Sequence, residues 1–85
     1  MQPIVYVVTV GGKNIQPHSD IFAENSAKAA QKAYELAINS HADIYKNRLD
    51  VKRDEIVESK TSRCCSFYQE NQLVLFVSIS EYRVR

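Results

Sequence analysis

The chain has 85 residues, 45% of them hydrophobic and 25% charged, with 11 basic against 10 acidic side chains. That suffices for one core burying roughly 60–65% of the unfolded surface, is too apolar for a disordered chain, and is too evenly charged to announce nucleic acid by net charge. The longest apolar runs, IVYVV and LVLFV, are far shorter than the ~20 residues that cross a bilayer, so a single cytoplasmic domain is expected.

PIVYVVTV (residues 3–10) is rich in β-branched and aromatic residues and predicts a first strand, closed by GGKN, where glycine supplies the positive φ that a turn needs. HSDIFA (18–23) predicts a weaker second strand, reached through a loose connection around Ile15 to Pro17; Pro17 has no N–H to donate and belongs at that strand's start or edge.

The most regular stretch follows, FAENSAKAAQKAYELAINSHADIY (22–45). At about 100° per residue, Ala27, Ala30, Ala33, Tyr34, Ala37, Ile38, His41, Ile44 and Tyr45 fall on one arc, opposite Lys28, Lys32, Glu35, Asn39 and Asp43. This predicts an amphipathic helix of about 18–20 residues that braces a sheet. Asn25 or Ser26 is the expected cap.

KNRLDVKRDEIVESK (46–60) shows no clean period and mixes both signs of charge; its first part reads as a loop or fraying helix end, anchored by Leu49 with Val51 and Ile56. VESKTSRCCSFY (57–68) and LVLFVSISEYRVR (73–85) predict the last two strands, joined at QENQ. In the last, Leu73, Leu75, Val77 and Ile79 form the expected core face, and Val74, Phe76, Ser78, Ser80, Tyr82 and Val84 the other. The expected fold is an α+β two-layer domain, a four-stranded antiparallel sheet with one helix on one face, in the order β-β-α-β-β. Its second face, carrying Phe76, Tyr82 and Val84 with Val5 and Val7, is left to solvent or to a partner.

The chemistry-bearing residues point away from an enzyme. Neither His18 nor His41 has a partner at metal-ligand spacing, no serine sits in a nucleophile elbow, and VGGKN lacks the spacing of a phosphate loop. Cys64 and Cys65 are strand neighbours facing opposite ways, which disfavours an ordinary disulfide and fits a reducing compartment. Asp54, Glu55 and Glu58 are surrounded by Lys52, Arg53 and Lys60 and read as a solvated, mutually screened segment. No catalytic residue, cofactor or metal is expected.

Two binding readings remain. Lys46, Arg48, Lys52, Arg53, Lys60, Arg63, Arg83 and Arg85, interleaved with Tyr45, Tyr68 and Tyr82, are the material of a nucleic-acid face, but Asp50, Asp54, Glu55, Glu58 and Glu81 among them repel phosphate. Protein binding is the preferred reading, with Tyr68, Phe76, Tyr82, Arg83 and Arg85 as contacts and Lys52 and Arg53 steering the approach. A terminal strand at the sheet edge would add another chain, and a homodimer through such an edge or through the open face fits the same architecture.

In AENSAKAAQKA, a strand ending in Ala23, polar Asn25 and Ser26 at the helix start, and Ala30 and Ala33 on the inner face follow a pattern common in small α+β domains. In size and architecture the whole chain is similar to the single-domain inhibitors encoded by bacteriophages and mobile elements, anti-CRISPR proteins among them. That resemblance implies stoichiometric binding to a host protein or ribonucleoprotein complex in the bacterial cytoplasm.

Overall fold

The computed structural model describes residues 3–42, 51–59 and 62–83; the side chains of residues 41–42 and 55–59 lie outside the description, as do the expected positions of Ile44, Tyr45, Leu49, Val84 and Arg85. The chain runs β1 (Ile4–Gly12), β2 (Ile15–Ala23), a 3-10 turn (Glu24–Ser26), α1 (Ala27–Ala42), β3 (Val51–Ser59), β4 (Ser62–Gln69) and β5 (Gln72–Arg83). The strands form one antiparallel sheet in the order β2-β1-β5-β4-β3. The α+β class stands, but the sheet has five strands rather than four.

The extra strand comes from the segment read as loop and from the stretch 57–68 read as a single strand. That stretch is a hairpin, with Ser59 opposite Ser62. Between them in the sequence, Lys60 and Thr61, which lie outside the described residues, offer no Gly, Pro or Asn to mark a reversal. β3 also escaped the alternation test because it is an edge strand, whose faces are both partly wet and can both carry charge.

The first hairpin is tighter than expected. Lys13 and Asn14 make the turn and β2 begins at once at Ile15. Asn14 takes φ 62°, and Gly12 takes φ +154°, where an added Cβ would lie 2.4 Å from the Val74 carbonyl oxygen. The Lys13 N–H donates to that same oxygen at 3.2 Å, pinning the turn to β5. The final hairpin closes as predicted at Gln69 and Gln72, with Glu70 at φ 52° and Asn71 at φ 64°, the paired positive values of a two-residue turn that matches strand twist.

β5 is the central strand, between β1 and β4, so it offers no free edge. This corrects the expectation that the terminal strand adds a partner chain. A bulge at its start shifts the faces: Tyr68 pairs with Leu73 and Phe67 with Leu75, leaving Val74 as the extra residue. Val74 is therefore buried while Leu73, expected in the core, is 39% exposed. From Leu75 onward the expected alternation holds, with Leu75, Val77 and Ile79 inward.

α1 lies over β5, β1 and β2. Ala30, Tyr34 and Ile38 are buried on its inner face, against a core that includes Val8, Val10, Cys65, Phe67, Leu75, Val77 and Ile79. Ala33 and Ala37 pack beside them, and Lys28, Lys32, Glu35 and Asn39 are exposed as the helical period requires. Small alanines let the first turns approach the sheet closely, and Tyr34 fills the wider gap further along. The helix is preceded by the 3-10 turn, whose N-cap position is Ala23 with no side-chain cap, and within that turn Ser26 Oγ donates to Asn25 Oδ1 at 3.5 Å.

Candidate functional site

Strand alternation divides the sheet's residues between two faces, and the register carries the division across all five strands. Beside the helix, Arg53 of β3 crosses the Phe67 ring at 5.7 Å and its Nε donates to Cys65 Sγ at 3.3 Å. Arg63 of β4 lies 5.7 Å from the Tyr34 ring centre. The two guanidinium side chains line a cleft of about 220 Å³ with Gln31, Tyr34, Glu35, Ile38 and Asn39. Arg53 therefore serves packing at the flank of the core.

Among the described residues no helix covers the other face, and its centre is a field of small hydroxyl and thiol side chains: Thr9, Ser19, Ser62, Ser66, Ser78, Ser80 and Cys64. Several satisfy one another. Thr9 and Ser19 share a hydrogen bond of 2.9 Å, and Ser62 and Ser80 one of 3.2 Å. Both cysteines are free, Cys65 buried beside the helix and Cys64 part-exposed on this face, as their adjacency requires.

One corner of the open face is different. Val5 stands between Ala23 and Tyr82, and Val7 between Ile21 and Ser80. Ile21 is 72% exposed and Tyr82 55% exposed. Pro3, Ile4, Val5 and Ala23, with Glu24 and Asn25, line a shallow hollow of about 500 Å³ at the same corner. Two large side chains, Ile21 of β2 and Tyr82 of β5, are thus held out to solvent on either side of the half-buried Val5 and Val7 of β1.

The residues singled out in the sequence do not make one surface. Tyr82 belongs to the apolar corner. Phe76 is on the same face of the same strand, but six residues back, roughly 20 Å at strand rise, and half-buried over Gly11, where a Cβ would meet its Cε1 at 2.6 Å. Tyr68 and Lys52 are cross-strand partners at the far end of that face, lining a hollow with Glu70 and Asn71. Lys52 and Arg53, as neighbours in a strand, face opposite ways, and Arg83, exposed beside Ile4, takes the parity of the helix side. Arg85 and the side chain of His41 lie outside the described residues. Sequence reading missed Ile21 and Ala23; the signal was the alternation Ser19, Ile21, Ala23 against the inward Phe22, obscured because β2 is polar for most of its length.

Among the described residues no three His, Cys, Asp or Glu side chains are grouped to hold a metal, and no helix is long and apolar enough to cross a membrane. No protein-family model, curated protein or solved structure matches the chain. Its own geometry is what speaks to function.

Proposed function

We propose that this chain is a non-enzymatic protein-binding module, and that the apolar corner formed by Val5, Val7, Ile21, Ala23 and Tyr82 is its contact surface. The carrying observation is that Ile21 and Tyr82 project from a paired, rigid sheet. Ordering them costs little further entropy on binding, and an aliphatic and a tyrosine side chain side by side supply a buried anchor and a polar tip for a partner's backbone. Its size, single core and hydroxyl-rich surroundings support the reading of a phage-type inhibitor that blocks a host protein or ribonucleoprotein complex by occluding a functional surface. The partner's matching surface is an apolar recess with a hydrogen-bond acceptor at its rim.

The test is capture from host lysate on immobilised protein, with and without nuclease, using wild type, Ile21→Asp, Tyr82→Ala and Tyr68→Ala. A stoichiometric protein partner that survives nuclease and is lost with Ile21→Asp and Tyr82→Ala, but kept with Tyr68→Ala, is the expected result. Retention by all three variants removes the corner. Loss of every partner on nuclease treatment, with affinity falling steeply in salt, brings the basic residues and a nucleic-acid ligand forward instead.

A further inference from the structure

A groove runs along β1 on the open face. Val5, Val7 and Thr9 are half-buried and stand in line on that strand, with Val5 between Ala23 and Tyr82 and Val7 between Ile21 and Ser80. Ile21 on one side and Tyr82 on the other are exposed and flank this floor from strands two spacings apart, roughly 10 Å. At one end the groove opens into the hollow of about 500 Å³ between the first residues of β1, Ala23 and the 3-10 turn. At the other it is closed by the Phe76 ring over Gly11. From Val5 to Gly11 the floor is roughly 20 Å long at strand rise.

The dimensions and chemistry of the groove limit what can lie in it. Backbone N–H and C=O groups in a sheet point sideways into neighbouring strands, so the face has none to offer a visitor. A segment laid over the Val5 and Val7 floor must satisfy its own backbone, which an α-helix does and a single extended strand does not. A globular surface of standard size would need ~800 Å² and 20–30 residues a side, whereas Ile21, Tyr82 and their floor make a patch only a few side chains across. A helix with its side chains is ~10–12 Å wide, and ~13 residues of it span the floor. The same three strands already carry a helix in this way, because α1 lies over β5, β1 and β2 on the other side. Beside the floor, Thr9 and Ser19 hydrogen-bond each other, as do Ser62 and Ser80, so a helix that excludes water there leaves each hydroxyl with a partner.

We infer that the groove along β1 seats one amphipathic α-helix of the binding partner, ~13 residues long, with apolar side chains at i, i+4 and i+7 toward the floor and a Lys or Arg one turn from them. This rests on the corner being the contact surface, and it names what the corner contacts. Ile21 enters the groove between side-chain ridges of that helix, which is the apolar recess required of the partner. One apolar side chain of the helix fills the hollow at the start of β1. Among the described residues, Glu24 is the charged side chain of the hollow's lining, so the complementary neighbour of that apolar anchor is a cation.

The test is selection from a phage-displayed library of random peptides of about 16 residues, enough to cover the footprint, on the immobilised full chain and in parallel on Ile21→Asp, shown to be folded by circular dichroism. Enriched sequences should carry apolar residues at helical period with a basic residue one turn away, gain helical circular dichroism on binding, and lose at least about tenfold in affinity on Ile21→Asp. Glu24→Lys should weaken the same peptides by about two- to fivefold, and exchanging the peptide's basic residue for Glu should restore the loss. Enrichment of alternating, extended sequences overturns the inference, as does a selection that yields no sequence dependent on Ile21. Indifference to Glu24→Lys overturns the basic neighbour. Capture from host lysate separates this failure from that of the binding module. Capture lost with Ile21→Asp while the library yields no helical sequence removes only the helix, and capture indifferent to Ile21→Asp removes both.

Discussion

The two faces of this sheet are made from the same five strands, yet they solve opposite problems. On the helix side, Val8, Val10, Leu75, Val77 and Ile79 are buried beneath Ala30, Tyr34 and Ile38. On the other, one residue further along each strand, Thr9, Ser78 and Ser80 replace them, and apolar side chains return only at the corner of Val5, Val7, Ile21 and Tyr82. The contrast separates residues that hold the fold from residues that the fold holds out, and it predicts that the two kinds respond differently to substitution.

The largest effect belongs to the core. Tyr34 is fully enclosed between helix and sheet, so Tyr34→Ala should cost ~3–5 kcal/mol in urea unfolding, a large part of the ~5–15 kcal/mol that a domain commands. A loss below ~1 kcal/mol would mean that the helix does not seal the core as described. At the exposed corner the same drastic chemistry should leave folding alone: Ile21→Asp should change stability by no more than ~0.5 kcal/mol while reducing partner affinity by about 30-fold or more, measured by calorimetry on the captured partner. Equal damage to folding and binding would erase the distinction between the faces.

How much of this was legible in the sequence differs between the same regions. The helix and its inner face follow from spacing alone, because Ala30, Tyr34 and Ile38 recur at helical period and nothing competes with that signal. Val77 and Ile79 follow likewise from strand alternation. β3 was hidden because KRDE at a sheet edge shows no alternation of polarity, and the sequence between Ser59 and Ser62 holds no Gly, Pro or Asn to signal a reversal. The faces of Leu73 and Val74 were misassigned because a bulge is a two-strand property: it appears only when Phe67 and Tyr68 are set against β5. The apolar corner depends on β2 lying beside β1, which brings Ile21 to Val7 and Ala23 to Val5 from 14 and 18 positions along the chain.

A smaller effect is expected where the open face touches the backbone itself. Gly11 and Phe76 are cross-strand partners, and the ring lies over the glycine where a Cβ would come within 2.6 Å of it. Gly11→Ala should therefore destabilise by ~1–3 kcal/mol through overpacking. Adding Phe76→Leu should recover part of that loss, since the clash is with an aromatic ring rather than with backbone. A double-mutant cycle on thermal unfolding measures the coupling. Additive losses would show that Gly11 is needed for its own flexibility and not for the ring, and Phe76 would return to the pool of adaptable surface residues.

The smallest change tests what assigns residues to faces in the first place. A one-residue slip between β4 and β5 would carry Val77 and Ile79 to the open side, so the turn at Glu70 and Asn71 specifies both faces at once. Both turn residues have positive φ, which Asn tolerates and Glu does not favour. Glu70→Gly removes that backbone cost without touching the core or the corner, though it loosens the unfolded chain, so a net gain of ~0.5–1 kcal/mol is expected, visible as a rise of a few degrees in Tm. Partner binding should not move. A loss of stability would show that the Glu70 side chain, exposed beside Tyr68 and Lys52, contributes more at that end of the sheet than its backbone costs.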